Sequence, residues 1–160
     1  MRDVLELGGA GTGKGVRPVL RDGVVVATLR ASNWKEAATA VIEDRERVLA
    51  RAGRELTGRA ADDPEGTARL RARQVSFWRS TWEADLEGTP VQARPRAWRH
   101  TGLRHSVHGR VVAEGGTTGG WSPRPTLRAD DVLPLHQQAF LLWLELVLDR
   151  RVQAAAAGAA

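Results

Sequence analysis

Residues 8–15 read GGAGTGKG, one residue short of a phosphate-binding loop of the form G-x-x-x-x-G-K-[ST]. Gly8, Gly13 and Lys14 keep the spacing. Gly15 stands where a Ser or Thr hydroxyl would hold Mg²⁺, and Pro18 falls inside what should be the first turns of a helix. Only Val4, Leu5 and Leu7 precede the loop as material for a buried strand, and no later apolar run ends in an Asp suited to be a second metal ligand. Nucleotide hydrolysis is therefore not expected. Residues 1–14 read instead as a flexible, glycine-rich N-terminus.

The remaining chemistry-bearing groups are equally sparing. His100, His105 and His108 lie at spacings of five and three, which do not bring three rings to one face of a strand. The chain has no cysteine to complete a thiolate site, so structural or exposed roles are expected for these histidines rather than metal ligation. GGTTGG at 115–120, ahead of Trp121, has the backbone N–H groups to wrap an anion. No helix start follows it, so a hairpin loop is the expectation. His136 and Glu145 lie on a buried helix, where each should find a hydrogen-bond partner. No Ser-His-Asp or paired-carboxylate arrangement follows from spacing. The chain is read as a non-enzyme with no catalytic residue, no metal and no cofactor.

Arginine is the exception. In TARLRAR (67–73) the residues Arg69, Arg71 and Arg73 alternate with Ala68, Leu70 and Ala72, and Arg94, Arg96, Arg99 and Arg104 follow. The candidate anion-binding residues are Arg69, Arg71, Arg73, Arg96 and Arg99, a set suited to phosphate groups; the plainer alternative is a solvated outer sheet face. A net charge of +5 and a pI near 11.0 favour a polyanionic partner. Of 24 basic residues only Lys14 and Lys35 are lysine, a bias that suggests a GC-rich genome and weakens any argument from arginine alone. Trp82 should point inward and Trp98 alone is placed to stack on a base, so single-stranded nucleic-acid readout is poorly supplied.

Elements able to position these residues follow from periodicity. A chain of 160 residues suits one domain, and its first residues, MRDVLELGG, carry no apolar leader pattern. Period-two alternation predicts strands in TARLRAR, in WRSTWEADL (78–86, with Trp78, Trp82, Ala84 and Leu86 on one face) and in PVQAR (90–94), the last two joined by a Glu87-Gly88 turn. Further strands are expected in GVVVATLR (23–30), WKEAATAVI (34–42), RERVLAR (45–51), RELTGR (54–59), RAWRHT (96–101), GRVVAE (109–114) and PTLRA (125–129). Residues 34–53 are rich enough in Ala and Glu to suggest a helix. A faint repeat argues for strands instead: Trp34, Lys35, Ala40, Ile42 and Glu43 recur 44 residues later as Trp78, Arg79, Ala84, Leu86 and Glu87. ATLRA (27–31) is likewise echoed by ARLRA (68–72), and Gly23, Val25, Val26 and Ala27 by Gly109, Val111, Val112 and Ala113. A period near 43 residues corresponds to about four strands.

LPLHQQAFLLWLELVLDRR (133–151) differs from all of this. Acids precede it, Pro134 sits early and two arginines close it, which predicts a helix over 134–151. It is apolar almost all round, with Gln138, Glu145 and Asp149 forming a narrow polar stripe. A membrane span needs about 20 apolar residues, and this segment is shorter and carries His136, Gln137, Gln138 and Glu145. Burial in protein is the expectation, followed by an unanchored, Ala-rich tail at 152–160.

Many short strands must then cover one helix on nearly every side. A closed antiparallel barrel of about twelve strands around the helix solves this, because an eight-stranded barrel has room only for side chains. Residues 15–151 would form that single domain. This mainly β plan resembles the tubby C-terminal domain, the phospholipid scramblases and the plant LURP-one-related proteins, with DDVLPLHQQAFLLWLELVLDRR the strongest piece of the likeness. The chain looks like a small bacterial member of that superfamily. The resemblance implies binding of anionic phospholipid head groups or another polyanion, in the cytoplasm or peripherally at a membrane; it transfers no catalytic motif. The alternative function is a nucleic-acid-associated protein using the same basic surface.

Overall fold

The computed structural model describes residues 2–9, 15–32, 35–96 and 102–158. It is a closed barrel of twelve antiparallel strands, each hydrogen-bonded to its sequence neighbour, with β1 pairing β12 to close the ring. In order these are β1 (Arg2–Leu7), β2 (Val16–Arg21), β3 (Val24–Ala31), β4 (Ala37–Ile42), β5 (Arg45–Ala52), β6 (Glu55–Ala60), β7 (Leu70–Ser76), β8 (Thr81–Leu86), β9 (Thr89–Pro95), β10 (Leu103–Val107), β11 (Arg110–Thr117) and β12 (Pro125–Asp130). One helix follows, α1 (Leu135–Gly158).

Local chemistry explains the register. Asp22-Gly23, Glu43-Asp44, Glu87-Gly88 and His108-Gly109 all have positive φ at both residues, the type I′ geometry whose twist matches that of paired strands. Gly53 alone is left-handed in the Gly53-Arg54 turn, as a type II′ turn requires. The Ala- and Glu-rich segment is therefore the β4–β5 hairpin, with Ile42 opposite Arg45 across its turn.

Alternation puts leucine, valine and alanine inside. Many inward positions are small: Ala27, Ala31, Ala38, Ala40, Ala72, Ala84, Ala93, Ala113 and Ala129 are all buried. The helix supplies the bulk, including Phe140, Leu141, Leu142, Trp143 and Leu144. Ten successive residues, Gln138 to Val147, are buried, and ten residues make nearly three helical turns, so every face of that stretch is covered. Small wall and large plug are complementary. A Cβ at Gly58 would come within 3.2 Å of Phe140, and one at Gly115 within 2.2 Å of Glu145.

Four local expectations need correction. The first strand lies at residues 2–7, inside the segment expected to be flexible, because Leu5 and Leu7 are core residues and β1 is the strand that closes the ring. The helix continues past Arg151 to Gly158, through the segment expected to be an unanchored tail; Val152 and Ala155 cover part of the barrel mouth. Strand β8 begins at Thr81, so Trp78 lies in the preceding turn and points outward. Arg96 is outside any strand, and β10 begins only at Leu103; residues 97–101 of the expected RAWRHT strand lie outside the described residues.

Candidate functional site

Alternating connections put the loops on two rims. At the rim where α1 enters lie the connections at 22–23, 43–44, 61–69, 87–88, 108–109 and 131–134. Their charged residues are Asp22, Glu43, Asp44, Asp62, Asp63, Glu65, Glu87 and Asp131, against Arg69. At the opposite rim, where α1 leaves, the described connection residues carry Lys35, Arg54, Arg79, Arg96 and Arg124 against Glu36. The described connections are thus mainly acidic at one end and mainly basic at the other.

Aromatic exposure follows the same division. Trp82, Phe140 and Trp143 are buried, whereas Phe77 and Trp78 are 78% and 93% exposed and Trp121 is fully exposed. The three exposed rings sit in the 77–80 and 118–124 connections, both at the basic rim. Phe77 and Trp78 pack edge to face with centroids 5.9 Å apart, which stiffens this tip.

Below the tip, on the outer wall, an open cleft of about 870 Å³ is lined by Trp78, Arg79, Arg94 and Arg96 with Glu83 and Gln92. Arg96 is tied down: its Nε lies 3.6 Å from Glu114 and its guanidinium donates to the Gly115 carbonyl at 3.0 Å. Arg79 and Arg94 have no ion pair among the described residues. Two open guanidinium groups beside an exposed indole form a place where an anionic group could gain charge-assisted hydrogen bonds.

The five sequence-predicted arginines are not brought together. Arg71 and Arg73 do face outward from β7, but carboxylates stand beside both. Arg71 lies 3.6 Å from Glu55 and directly opposite Asp85, and Arg73 lies 3.5 Å from Glu83. Arg69 precedes the strand at the acidic rim, Arg96 lies at the basic one, and Arg99 is outside the described residues. Cross-strand pairing is invisible to a reading of one strand at a time, which is why this face looked uncompensated.

The histidines and the nucleotide-loop motif resolve differently. His105 is buried on β10, with Nε2 3.3 Å from Glu145 Oε1, while its Nδ1 is buried without a partner among the described residues. His108 is an exposed turn residue, and His100 lies outside the described residues. His136, at the start of α1, bonds Glu87, which also accepts from Gln137 Nε2 at 3.1 Å. Burial works against the Glu87 carboxylate, but these bonds prevail and hold its pKa below the usual value. Gly15 leads into strand β2 and not into a helix, as the reading against a nucleotide site requires; Lys14 lies outside the described residues.

At the basic end α1 is fastened by its own cations. Arg150 donates to the Ser32 carbonyl at 2.8 Å, and Arg151 makes two hydrogen bonds with Glu36, at 2.5 and 2.8 Å. The Arg151 bond is the main reason the Glu36 carboxyl sits below its ordinary pKa. Among the described residues no helix is long and apolar enough to cross a membrane. No protein-family model, curated protein or solved structure matches this chain.

Proposed function

We propose that this barrel is a non-enzymatic binding protein that docks its basic, aromatic-tipped rim onto an anionic phospholipid surface. The observation that carries the reading is the coincidence of the exposed aromatics with the positive rim. Tryptophan is favoured at the boundary between head groups and acyl chains. Each Lys or Arg held near an anionic leaflet contributes about 1 kcal/mol, so the rim's excess of cations supplies several. Trp78 and Trp121 would enter the head-group layer, while Arg79 and Arg94 meet lipid phosphates in the outer cleft. The acidic rim faces away, which selects one orientation. Membership of the tubby and scramblase superfamily is part of this proposal and rests on the barrel-and-helix plan alone.

Co-sedimentation of the full chain with phosphatidylglycerol vesicles and with phosphatidylcholine vesicles tests it. Binding is expected to the first only, and to weaken as salt shortens the Debye length from about 30 to 8 Å. Trp78→Ala with Trp121→Ala, or Arg79→Glu with Arg94→Glu, should abolish binding without changing the thermal melt. Full binding by either folded double variant overturns the proposal. So does preference for single-stranded DNA over vesicles through the same residues, which would make the protein a nucleic-acid binder.

A further inference from the structure

A second, partly open space lies at the mouth of the barrel, and its chemistry is opposite to that of the rim around it. This cavity, about 270 Å³, runs along α1 beneath the 77–80 turn. It far exceeds the roughly 10–15 Å³ that one water requires. Its walls are largely apolar, from Phe77, Trp82, Leu103, Leu148 and Val152, yet Glu145 and Asp149 also line it.

We propose that this cavity binds a small organic ammonium ion, held between the carboxylates of Glu145 and Asp149 and the ring of Phe77, beside Trp82. Glu145 is buried and rigidly placed. Oε1 accepts from Leu103 N at 3.1 Å and lies 3.3 Å from His105 Nε2, and both of these described bonds leave Oε2 out. Gly115 leaves the space in which this carboxylate lies. Asp149 stands one helical turn further along the same face, a like charge at i and i+4. Its carboxyl is pushed above the usual range, first by burial and then by Glu145. A cation held between the two carboxylates would relieve that repulsion.

The nearby arginines leave that role open. Arg151 lines the cavity but is engaged by Glu36. Arg17 and Arg150, the other cations near Asp149, are turned to the carbonyls of Gly8 and Ser32 and do not line it. The Arg151 guanidinium carbon sits 5.5 Å from the centroid of the Trp82 ring, so that ring already carries a cation and Phe77 is the open one. A cation over an aromatic face is the usual way in which alkylated ammonium groups are recognised. The apolar walls suit the alkyl substituents and the carboxylates the charge.

The proposal is independent of lipid docking and is tested without vesicles. Choline is titrated into the isotope-labelled full chain while the Trp82 indole N–H is followed by NMR. Saturable binding is expected, and the neutral analogue dimethylbutanol, with carbon in place of nitrogen, should bind at least about tenfold more weakly. Asp149→Asn, which preserves shape, and Phe77→Ala, at a mostly exposed ring, should each weaken choline by about fivefold or more. Trp121→Ala should leave it unchanged. The proposal fails if choline shows no saturation, if the neutral analogue matches it, or if neither folded cavity variant weakens it.

Discussion

Glu145 is a carboxylate inside a barrel lined with hydrocarbon, and its position depends on an atom that is missing. A Cβ at Gly115 would stand 2.2 Å from its Cδ, so alanine there must displace the carboxylate from Leu103 N and His105. Gly115→Ala should cost about 1–3 kcal/mol, the range for overpacking a core. Gly119→Ala, with nothing within 4 Å, should be neutral in the same urea titration. Charge at the same mouth of the barrel gives a pH signature. The Glu36 carboxyl sits below its ordinary 4.5 when folded, chiefly through Arg151. Its stabilisation is therefore complete above that value and lost as pH falls through the lower folded one. Asp149 has the opposite sign: its folded pKa is raised above 3.8, so its ionised form at neutral pH opposes folding. Glu36→Gln should lower the melting temperature at pH 7, and Asp149→Asn should raise it. Both differences should shrink in acid, once the carboxyls are protonated in folded and unfolded chains alike.

At the scale of elements, the β4–β5 hairpin shows tertiary pairing overriding local preference. Glu43 and Asp44 both hold φ near +50 to +60, a conformation costing an L-residue about 1–2 kcal/mol. The pairing of Ala38, Ala40 and Ile42 into the core outweighs that cost. Replacing the turn by Asn-Gly, the favoured type I′ pair, should stabilise the protein by roughly 1 kcal/mol, measured as a shift in the denaturant midpoint. The faint repeat also acquires a structural meaning. Matched residues such as Ala27 to Ala31, Leu70 to Ala72 and Val111 to Ala113 fall on β3, β7 and β11, and Ala40, Ile42, Ala84 and Leu86 on β4 and β8, strands four apart around the ring, while Glu43 and Glu87 occupy corresponding turns.

For the whole molecule, the plug and the wall depend on each other. A barrel whose inward residues include so many alanines has no core of its own without α1. Leu144→Ala, at a fully buried position, should cost about 2–5 kcal/mol. A chain ending at residue 132 should show no cooperative melt, because total stability is only about 5–15 kcal/mol. Removing 152–160 should leave the fold intact while opening the cavity that Val152 and Ala155 help to close. A cooperative melt from the shorter chain would mean that the strands close without the helix. The charge division between rims acts on the whole body as well, since a field positive at one end orients the barrel before any contact forms.

The class of the fold and most of its elements were legible in the sequence, although β1 and β2 were not. Alternation in strands such as TARLRAR and PVQAR, turn residues such as Glu87-Gly88, and a helix with only a narrow polar stripe together admit few arrangements besides a wide barrel around a helix. The sequence also argued against a nucleotide loop, because the missing hydroxyl at Gly15 and the early Pro18 are local facts. What it could not determine is whatever depends on neighbours across the ring. Whether Arg71 and Arg73 are open or matched by Glu55 and Glu83, whether Trp78 faces in or out, and whether residues 2–7 drift or close the barrel are settled by pairing partners far away in the chain. The sorting of acids to one rim and cations with exposed rings to the other is of the same kind. Each connection carries only a few charges, and their sum has a direction only once alternate connections are known to share an end.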